Sequence, residues 1–404
     1  MKMIGLENLL AHPSLAARWG RLGLLCNQAS VTLDWTAAWE ALPRAFPGRF
    51  TTLFGPQHGF FGTVQDNMIE TAHAVHPGSG LPLYSLYSET REPTPAMLAN
   101  VDTLLIDLQI VGCRIYTWKS TIAGCLRAAR KLGLRVVVLD RPNPIGGEVI
   151  EGRVLDDDAH SFVGEFPIPM RHGLTAGEAA KLFNADIGAE LEVVPLIDWN
   201  SASYWHQLGR PWVITSPNLP TFDPVVVYPG TVMFEGTNVS EGRGTGLPFQ
   251  FVGAPWAHET AKLRNRVVEL ARGTDALSGV WLREAAFEPT SQKWRGQTCH
   301  GLQIHVTDPE RVRSFGLSVA LIRAFADASD GRADAFQWKS PPYEYDFTTL
   351  PIKLIFGSHA ADKKWLDPQF SLQDPFWNAG HRAYIERIQD ILLYPRRRFV
   401  HADT

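Results

Sequence analysis

The run Tyr228–Gln250, YPGTVMFEGTNVSEGRGTGLPFQ, concentrates side chains that can do chemistry. It holds two carboxylates, Glu235 and Glu241, together with Asn238, Arg243 and five glycines. Its apolar residues follow neither a helical nor a strand period, which predicts a loop. Glycines let a chain turn tightly and let a ligand come close, and ordering a polar loop is costly. The run therefore predicts a functional loop rather than a linker.

Carboxylates on predicted loops point to acid/base chemistry. A glycosidase needs one carboxylic acid to protonate the leaving oxygen and a second carboxylate as nucleophile or base. The candidate acids are Asp107, Asp140, Glu151, Glu165, Glu235 and Glu241. Three arginines on the same predicted loops, Arg114, Arg141 and Arg243, suit an anionic substrate group. Pairing of these arginines with the acids is an equally good interpretation.

The elements that must position these residues are short apolar runs alternating with helical patterns. The runs are Arg21–Cys26, Phe50–Phe54, Thr103–Leu108 and Arg135–Leu139, and the helical patterns cover 35–46, 93–100 and 119–132. Continuous apolar runs between helices are typical of buried parallel strands in βαβ units. The prediction is an α/β fold with a Rossmann-like, mostly parallel sheet.

Ligands of such sheets bind beyond the carboxyl ends of the strands, so the loops there are expected to converge. Their polar residues are Asn27, Gln57, His58, Asp107, Gln109, Arg114, Tyr116, Asp140, Arg141 and Asn143. The first loop lacks the GxGxxG pattern, which disfavours a dinucleotide cofactor. Further along, Thr175 and Glu178 form a predicted capping box that starts a helix, and His172 precedes it.

The pattern changes near residue 255. A helix is predicted at 257–272, alternating strands at 280–287 and 301–306, and helices at 309–327 and 376–394. We predict two domains: residues 1–250 form the Rossmann-like catalytic domain and 251–404 a smaller α+β auxiliary domain. The carboxylate-rich run then lies at the domain junction, a common place for a site.

Composition excludes several classes of protein. The 404 residues are 45% hydrophobic and 20% charged, with a net charge of −4 and no basic run, so nucleic acid is not an expected partner. Four scattered cysteines indicate reduced thiols and a cytoplasmic protein. No apolar stretch approaches a membrane span or a signal peptide. Metal-ligand spacing and a GxSxG motif are also missing, which disfavours a metal site and a serine nucleophile.

Several long motifs resemble the exo-β-N-acetylmuramidase NamZ family (DUF1343). They include FGPQHGFFG, IDLQIVGCRIYTW, LDRPNPIGG, SFVGEFPIPMRHGLTAGE, SPNLP, VYPGTVMFEGTNVSEGRGTGLPF and CHGLQIHVTD, in order over nearly the whole chain. The resemblance implies a site in the cleft between the two domains. It implies hydrolysis, without a cofactor, of a terminal non-reducing N-acetylmuramic acid from peptidoglycan fragments. A small amino-sugar or muropeptide is thus the expected partner, with no membrane or nucleic acid, and a homo-oligomer is left open.

The chain departs from the family pattern at three acidic positions. The family usually reads PEHG where this chain has Gln57, QDVG where it has Ile110, and glutamate where it has Gln250. Glutamine cannot donate or accept a proton as a general acid or base, although Gln57 can orient a water or an acetamido group. Either another acid serves, or the substrate differs, or catalysis is lost.

The leading hypothesis is a glycosidase in which Glu241, Asp107 and His58, aided by Gln57, carry the chemistry. The expected substrate-binding residues are Asn27, Gln109, Arg114, Tyr116, Arg141, Asn143, His172, Asn218, Glu235, Asn238 and Arg243. The alternative is a non-catalytic protein that binds muropeptides or amino sugars. A third interpretation is an enzyme of another class, such as an amidase or transferase acting on a sugar-linked carboxylate.

Overall fold

A seven-stranded sheet forms the centre of the first half of the chain. The computed structural model describes residues 1–400. The strands are β1 (Leu22–Cys26), β2 (Phe50–Gly55), β3 (Ala74–Val75), β4 (Pro82–Ser85), β5 (Thr103–Asp107), β6 (Arg135–Leu139) and β7 (Glu190–Val194). Their order is β3-β4-β2-β1-β5-β6-β7, and every neighbouring pair is parallel except β3 with β4. The predicted Rossmann-like, mostly parallel sheet is confirmed.

Helices cover both faces of this sheet. They are α1 (Gly5–Ala11), α2 (Ala38–Ala45), α3 (Pro95–Leu98), α4 (Trp118–Leu132) and α5 (Ala176–Ile187). Alternate residues of a strand point to opposite faces. Val136 and Val138 therefore share a core with α4 and α5, whereas Val137 and Leu139 pack with α1 and α2. Burial on both faces explains why the strands are apolar without alternation.

A second, smaller sheet follows in the chain. It contains β8 (Phe251–Ala254), β9 (Val280–Phe287) and β10 (Cys299–Val306) in the antiparallel order β8-β10-β9. The remaining helices are α6 (Phe222–Thr231), α7 (Thr260–Leu270), α8 (Ser314–Ala328), α9 (Pro351–Phe356), α10 (Ala361–Trp365) and α11 (His381–Ile388). This confirms the predicted additional α+β part. The division at residue 250 stays a prediction, since Ser240 pairs with Gly253 across it.

The predicted loop Tyr228–Gln250 is helical in its first part, so that part of the prediction is wrong. Helix α6 runs to Thr231, and a 3₁₀ helix continues over Val232–Gly236. Residues 224–236 are all buried, and a helix buried on every side shows no amphipathic period. Gly230 permits this burial, because a Cβ there would lie 1.8 Å from the carbonyl oxygen of Ser314. Only the part after Gly236 is a loop.

Two helix predictions near the C-terminus also need correction. The helix predicted at 309–327 begins only at Ser314. The helix predicted at 376–394 is broken into a 3₁₀ turn, α11 and a second 3₁₀ turn. Gly380, with a left-handed φ of 93°, separates the first of these turns from α11. The capping box is confirmed: the Thr175 hydroxyl accepts from the Glu178 amide at 3.2 Å, and the Glu178 carboxylate accepts from the Thr175 amide at 3.0 Å.

Candidate active site

A cavity of about 430 Å³ lies where the loops after β2 and β5 meet the second half of the chain. Its lining residues are Gln57, His58, Asn67, Ile115, Tyr116, Thr117, Trp118, Ser216, Tyr228, Glu235, Arg243, Phe249, Tyr343 and Glu344. Five of the residues predicted for the site are among them: Gln57, His58, Tyr116, Glu235 and Arg243.

Each part of the cavity comes from a different element. Gln57 and His58 follow β2, and Thr117 and Trp118 open α4. Glu235 lies on the 3₁₀ turn after α6, and the Tyr343–Glu344 pair comes from the segment before α9. Carboxyl ends of parallel strands thus supply one wall, as expected for this sheet type. The opposite wall is built by residues 228–249 and 343–344.

Strained backbone is concentrated at this cavity. His58, Phe249 and Glu344 line it and have left-handed φ values of 71°, 64° and 42°. Such conformations cost about 1–3 kcal/mol each for residues other than glycine, and they persist where the surrounding structure enforces them. Three of them around one cavity mark it as a functional site.

His58 is a neutral imidazole with a fixed tautomer. Its Nδ1 lies 2.8 Å from the carbonyl oxygen of Val64, which only accepts, so Nδ1 carries the proton. Burial lowers the pKa of His58 to about 4. Nε2 is therefore an unprotonated acceptor at neutral pH.

Glu235 is a carboxylate held by a cation and two neutral donors. Arg243 Nη2 lies 2.5 Å from Oε1, the Tyr343 hydroxyl donates to Oε2 at 2.8 Å, and Asn67 Nδ2 donates to Oε2 at 3.4 Å. A charge-assisted hydrogen bond from guanidinium is shorter and stronger than a neutral one. The ring of Phe249 lies against the other side of Arg243, 4.9 Å from its guanidinium carbon.

Glu344 is the second carboxyl group of the cavity, and its partners are neutral. The Tyr87 hydroxyl donates to Oε2 at 2.8 Å, and Gln57 Nε2 lies 3.5 Å from Oε1. Burial, reinforced by the nearby charge of Glu235, raises the pKa of Glu344 to about 7, against the opposing effects of Tyr87 and Gln57. Glu344 thus has the environment of a group that exchanges protons near neutral pH.

Glu241, the expected principal catalyst, does not line the cavity. Its carboxylate lies 2.8 Å from Lys293 Nζ and 3.2 Å from Arg243 Nε. Burial opposes ionisation, but Lys293 and Arg243 outweigh it and hold the pKa of Glu241 below its ordinary value. The geometry gives Glu241 the role of an ion-pair partner behind Arg243, a correction to the catalytic role we expected.

Asp107 and Arg141 also do not line the cavity. Arg141 Nε lies 2.5 Å from Oδ1 of Asp107, and Nη2 lies 2.9 Å from Oδ2, a bidentate pair with both side chains buried. Asp107 ends β5 and Arg141 follows β6, its parallel neighbour. The register of these two strands brings the side chains together, so the pair reinforces the sheet edge.

The side chains of Arg114 and His172 do not line the cavity and bond to backbone groups. The Arg114 guanidinium is buried and donates to the carbonyl oxygens of Arg153 and Ile168 at 2.8 Å, and to those of Ile355 and Phe356. His172 Nδ1 accepts from the Leu174 amide at 3.1 Å. Burial lowers the pKa of His172 to about 3. Both side chains tie loops together below the cavity.

Five predicted amides are likewise bonded to backbone. The donations from their side-chain nitrogens are Asn27 to Thr215 at 3.2 Å, Gln109 to Ile110 at 2.9 Å, Asn143 to Leu174 at 3.1 Å, Asn218 to Gln65 at 3.1 Å and Asn238 to Ala335 at 2.6 Å. Apart from that of Gln109, these bonds join segments that are far apart in the chain. These residues shape the loops and do not line the cavity.

Several cavity residues were not predicted from the sequence, above all Tyr343 and Glu344. They lie in the run SPPYEYDF, where an acid stands between aromatics and after two prolines. The same combination of acids, aromatics and prolines singled out residues 228–250. Applied to this run, it would have found Glu344.

A wider groove lies elsewhere on the chain but offers less chemistry. Its space is about 1140 Å³, and it is lined by residues of α7 and α8. Two of the acids there already have cationic partners: Glu259 pairs with Lys262, and Asp327 with Arg266 and Arg323. Within residues 1–400, no group of three or more His, Cys, Asp or Glu side chains is placed to hold a metal ion.

Comparison with known proteins places both halves of the chain in one family. Residues 22–223 match the model "Exo-beta-N-acetylmuramidase NamZ, N-terminal", and residues 226–394 match its C-terminal counterpart. The chain is 40% identical over 325 residues, 80% of its length and 77% of the relative's, to "Peptidoglycan beta-N-acetylmuramidase NamZ" of Bacillus subtilis (strain 168).

Two solved structures share the fold. One DUF1343 family protein from Bacteroides fragilis NCTC 9343 has a TM-score of 0.84 at 28% identity, covering 97% of this chain and 99% of its own. A second from the same organism has a TM-score of 0.72 at 24% identity, covering 98% and 99%, and this likeness concerns the fold alone.

Proposed function

This chain belongs to the exo-β-N-acetylmuramidase NamZ family, and we propose that it hydrolyses the glycosidic bond of a terminal N-acetylmuramic acid in peptidoglycan fragments. The family models together span residues 22–394, and the Bacillus relative carries that activity in its name. The chain is accordingly an exo-acting glycoside hydrolase.

One observation carries the proposal: the cavity contains two carboxyl groups in contrasting environments. Glu235 is paired with Arg243, whereas Glu344 touches only neutral donors among its hydrogen-bond partners. Glycoside hydrolysis requires such a pair, one group ionised and the other able to carry a proton. The non-catalytic alternative, which was motivated by Gln57, is not favoured, because the cavity keeps two carboxyl groups without a glutamate at that position.

Aromatic and polar side chains equip the cavity for an amino sugar. Tyr116, Trp118 and Tyr228 provide rings against which the apolar face of a sugar can pack. Ser216 and Asn67 add neutral hydrogen-bonding groups. We assign substrate binding to these residues and to His58, whose Nε2 can accept from a sugar hydroxyl.

The lactyl carboxylate of N-acetylmuramic acid needs a positive partner, and Arg243 is the cation that lines the cavity. Arg243 already contacts Glu235 and Glu241. An anionic substrate therefore shares this guanidinium with two protein carboxylates. We therefore assign the substrate carboxylate to Arg243 and not to Arg114 or Arg141.

Incubation with a chromogenic N-acetyl-β-muramide and with a muropeptide mixture tests the function. We expect release of the chromophore and, by mass spectrometry, of free N-acetylmuramic acid from the non-reducing end. Glu235→Gln should abolish most of this release, whereas Glu288→Gln, on the exposed surface, should leave it unchanged. Binding without turnover by wild type and Glu235→Gln alike would indicate a binding protein. Products in which the amide bond between the lactyl group and the peptide, or a bond within the peptide, has been cut would indicate an amidase.

We also propose a cytoplasmic location. Cys26, Cys113, Cys125 and Cys299 are all free thiols and buried. Unpaired thiols are typical of reducing compartments. Cell fractionation with an antibody against the chain measures this, and recovery in the secreted fraction would contradict it.

Within residues 1–400, none of the helices has the length and apolar character needed to cross a membrane.

A further inference from the structure

Glu344 occupies a backbone position that the chain adopts at a cost. The Tyr343 amide donates to the Asp346 carbonyl at 2.9 Å and the Asp346 amide donates back to Tyr343 at 3.0 Å, which closes a two-residue turn. Its central residues, Glu344 and Tyr345, have φ values of 42° and 71°. Turns with two positive φ values favour Asn-Gly. A Glu-Tyr pair in such a turn therefore indicates that the two side chains, and not the turn itself, are needed there.

The surroundings hold this turn in place. The ring of Tyr345 lies 4.1 Å from the Arg91 guanidinium carbon, and the ring of Tyr87 lies 4.3 Å from it on another side. Tyr87 also donates its hydroxyl proton to Glu344. The carboxylate of Asp346 accepts from the Thr348 and Thr349 amides at 2.9 and 2.7 Å. Glu344 is thus delivered to the cavity by a rigid turn, as a preorganised catalytic group requires.

Gln57 reinforces this placement from the other wall. Thr117 donates its hydroxyl proton to Oε1 of Gln57, which fixes the orientation of the amide. The NH₂ group then faces Oε1 of Glu344 at 3.5 Å. Gln57 can neither donate nor accept a proton in catalysis, but it can hold the carboxyl group in position.

The other groups of the cavity are less suited to protonate a leaving oxygen. The Glu235 carboxylate already accepts hydrogen bonds from Arg243 and Tyr343. His58 has its single proton on Nδ1, bonded to Val64. Burial shifts the pKa values of Tyr116, Tyr228 and Tyr343 upward, which keeps these phenols from releasing a proton near neutral pH. Glu344, whose pKa is raised by burial to about 7, matches the requirement of a general acid.

We propose that Glu344 is the general acid of the hydrolysis and that Gln57 is its positioning residue, an inference that depends on the proposed glycosidase function. The Glu344 carboxyl group gives its proton to the glycosidic oxygen as the C1–O bond breaks. Water supplies the hydroxyl that bonds to C1, and the proton that this water loses restores the acid form of Glu344. The products are N-acetylmuramic acid and the shortened fragment, with no other reactant consumed.

The test compares substrates whose leaving groups differ in their need for protonation. An N-acetylmuramyl–N-acetylglucosamine disaccharide has a poor alcohol leaving group, whereas a 4-nitrophenyl muramide has a good one. We expect Glu344→Gln to lower kcat/KM on the disaccharide by about 100-fold or more, the usual contribution of a general acid, and on the nitrophenyl substrate by clearly less. Glu288→Gln serves as the control and should alter neither rate.

The pH profile provides a second readout that needs no variant. For wild type on the disaccharide, kcat/KM should fall on the alkaline side with an apparent pKa near 7, and this fall should be weak on the nitrophenyl substrate. Equal losses on both substrates in Glu344→Gln, or the same alkaline fall on both in wild type, would overturn the proposal. If wild type hydrolyses neither substrate, the proposed function itself has failed.

Discussion

Two buried carboxyl groups, Asp107 and Glu344, show what separates a structural acid from a reactive one. Their residues are 0% and 7% exposed, so water reaches neither freely. Asp107 is held by both nitrogens of a bidentate guanidinium. Glu344 is held by a phenol and an amide. Burial is therefore common to both, and the two groups differ in the charge of their hydrogen-bond partners.

Glu235 and Glu241 resemble Asp107 in having cationic partners. Glu241 has two cationic neighbours and lies behind the cavity, whereas Glu235 shares Arg243 and faces it. Groups with more cationic partners are more firmly ionised and less available for proton transfer. Substitution of a stabilising acid or of its partner should mainly lower stability, whereas substitution of the reactive acid should mainly lower activity.

Arg141→Met should lower the free energy of unfolding by about 3–5 kcal/mol, because Asp107 would be left buried without its partner. Urea unfolding at pH 7 measures the change. Glu344→Gln is the matched comparison and should not lose stability at that pH. Comparable losses in both variants would mean that the two carboxyl groups are not distinguished by their partners.

Glu344→Gln should gain stability relative to wild type as the pH rises. Burial raises the pKa of Glu344 from the ordinary 4.5 to about 7 in the folded protein. Between these values the unfolded chain loses the proton first, so wild-type stability falls from pH 4.5 to pH 7 and is level above. The difference between variant and wild type should grow over this window by up to about 3.5 kcal/mol, at about 1.4 kcal/mol per pKa unit. A difference independent of pH would contradict the shifted pKa.

Glu241→Gln should cost about 1.5–3 kcal/mol of stability, the range for a hydrogen bond to a charged group, since Lys293 loses its carboxylate. Thermal or urea unfolding measures this. The folded variant should retain kcat/KM within about tenfold of wild type, a change of about 1.4 kcal/mol in the barrier. A loss as large as that of Glu344→Gln would restore Glu241 to a catalytic role.

Tyr87→Phe should have the smallest effect. The Tyr87 hydroxyl donates to Glu344 and lowers its pKa. Its removal should raise the pKa of Glu344 and move the alkaline fall of kcat/KM to higher pH. The expected shift is about one pH unit or less, because one hydrogen bond contributes about 0.5–1.5 kcal/mol. A shift toward lower pH would show that another group controls this limb of the profile.

Most of the sheet could be predicted from the sequence because its strands are local apolar runs. The rule about strand ends also placed Gln57, His58 and Tyr116 correctly in one cavity. It failed for Asp107, since a side chain at a strand end faces either the crevice or a neighbouring loop. Strand register and the pairing with Arg141 make that choice, and neither is visible in local sequence.

The opposite wall was harder to predict for physical reasons. Burial on every side removes the periodicity that identifies a helix, so the sequence pattern of residues 228–236 predicts a loop where the structure has a helix. Glu344 is 287 positions from Gln57 along the chain, and no local pattern joins them. The role of a single glutamate such as Glu344 depends on the side chains that surround it in the folded protein.

The turn that carries Glu344 has a consequence for how the protein is made. A growing chain completes all seven strands of the large sheet by residue 194, and Glu235 emerges about 40 residues later. Glu344 follows more than 100 residues after Glu235. A chain shortened before residue 344 would therefore keep the entire large sheet and one carboxylate of the cavity, but not the group that we propose to donate the proton. The two carboxyl groups of the cavity are thus synthesised at separate times, and only the second completes the pair.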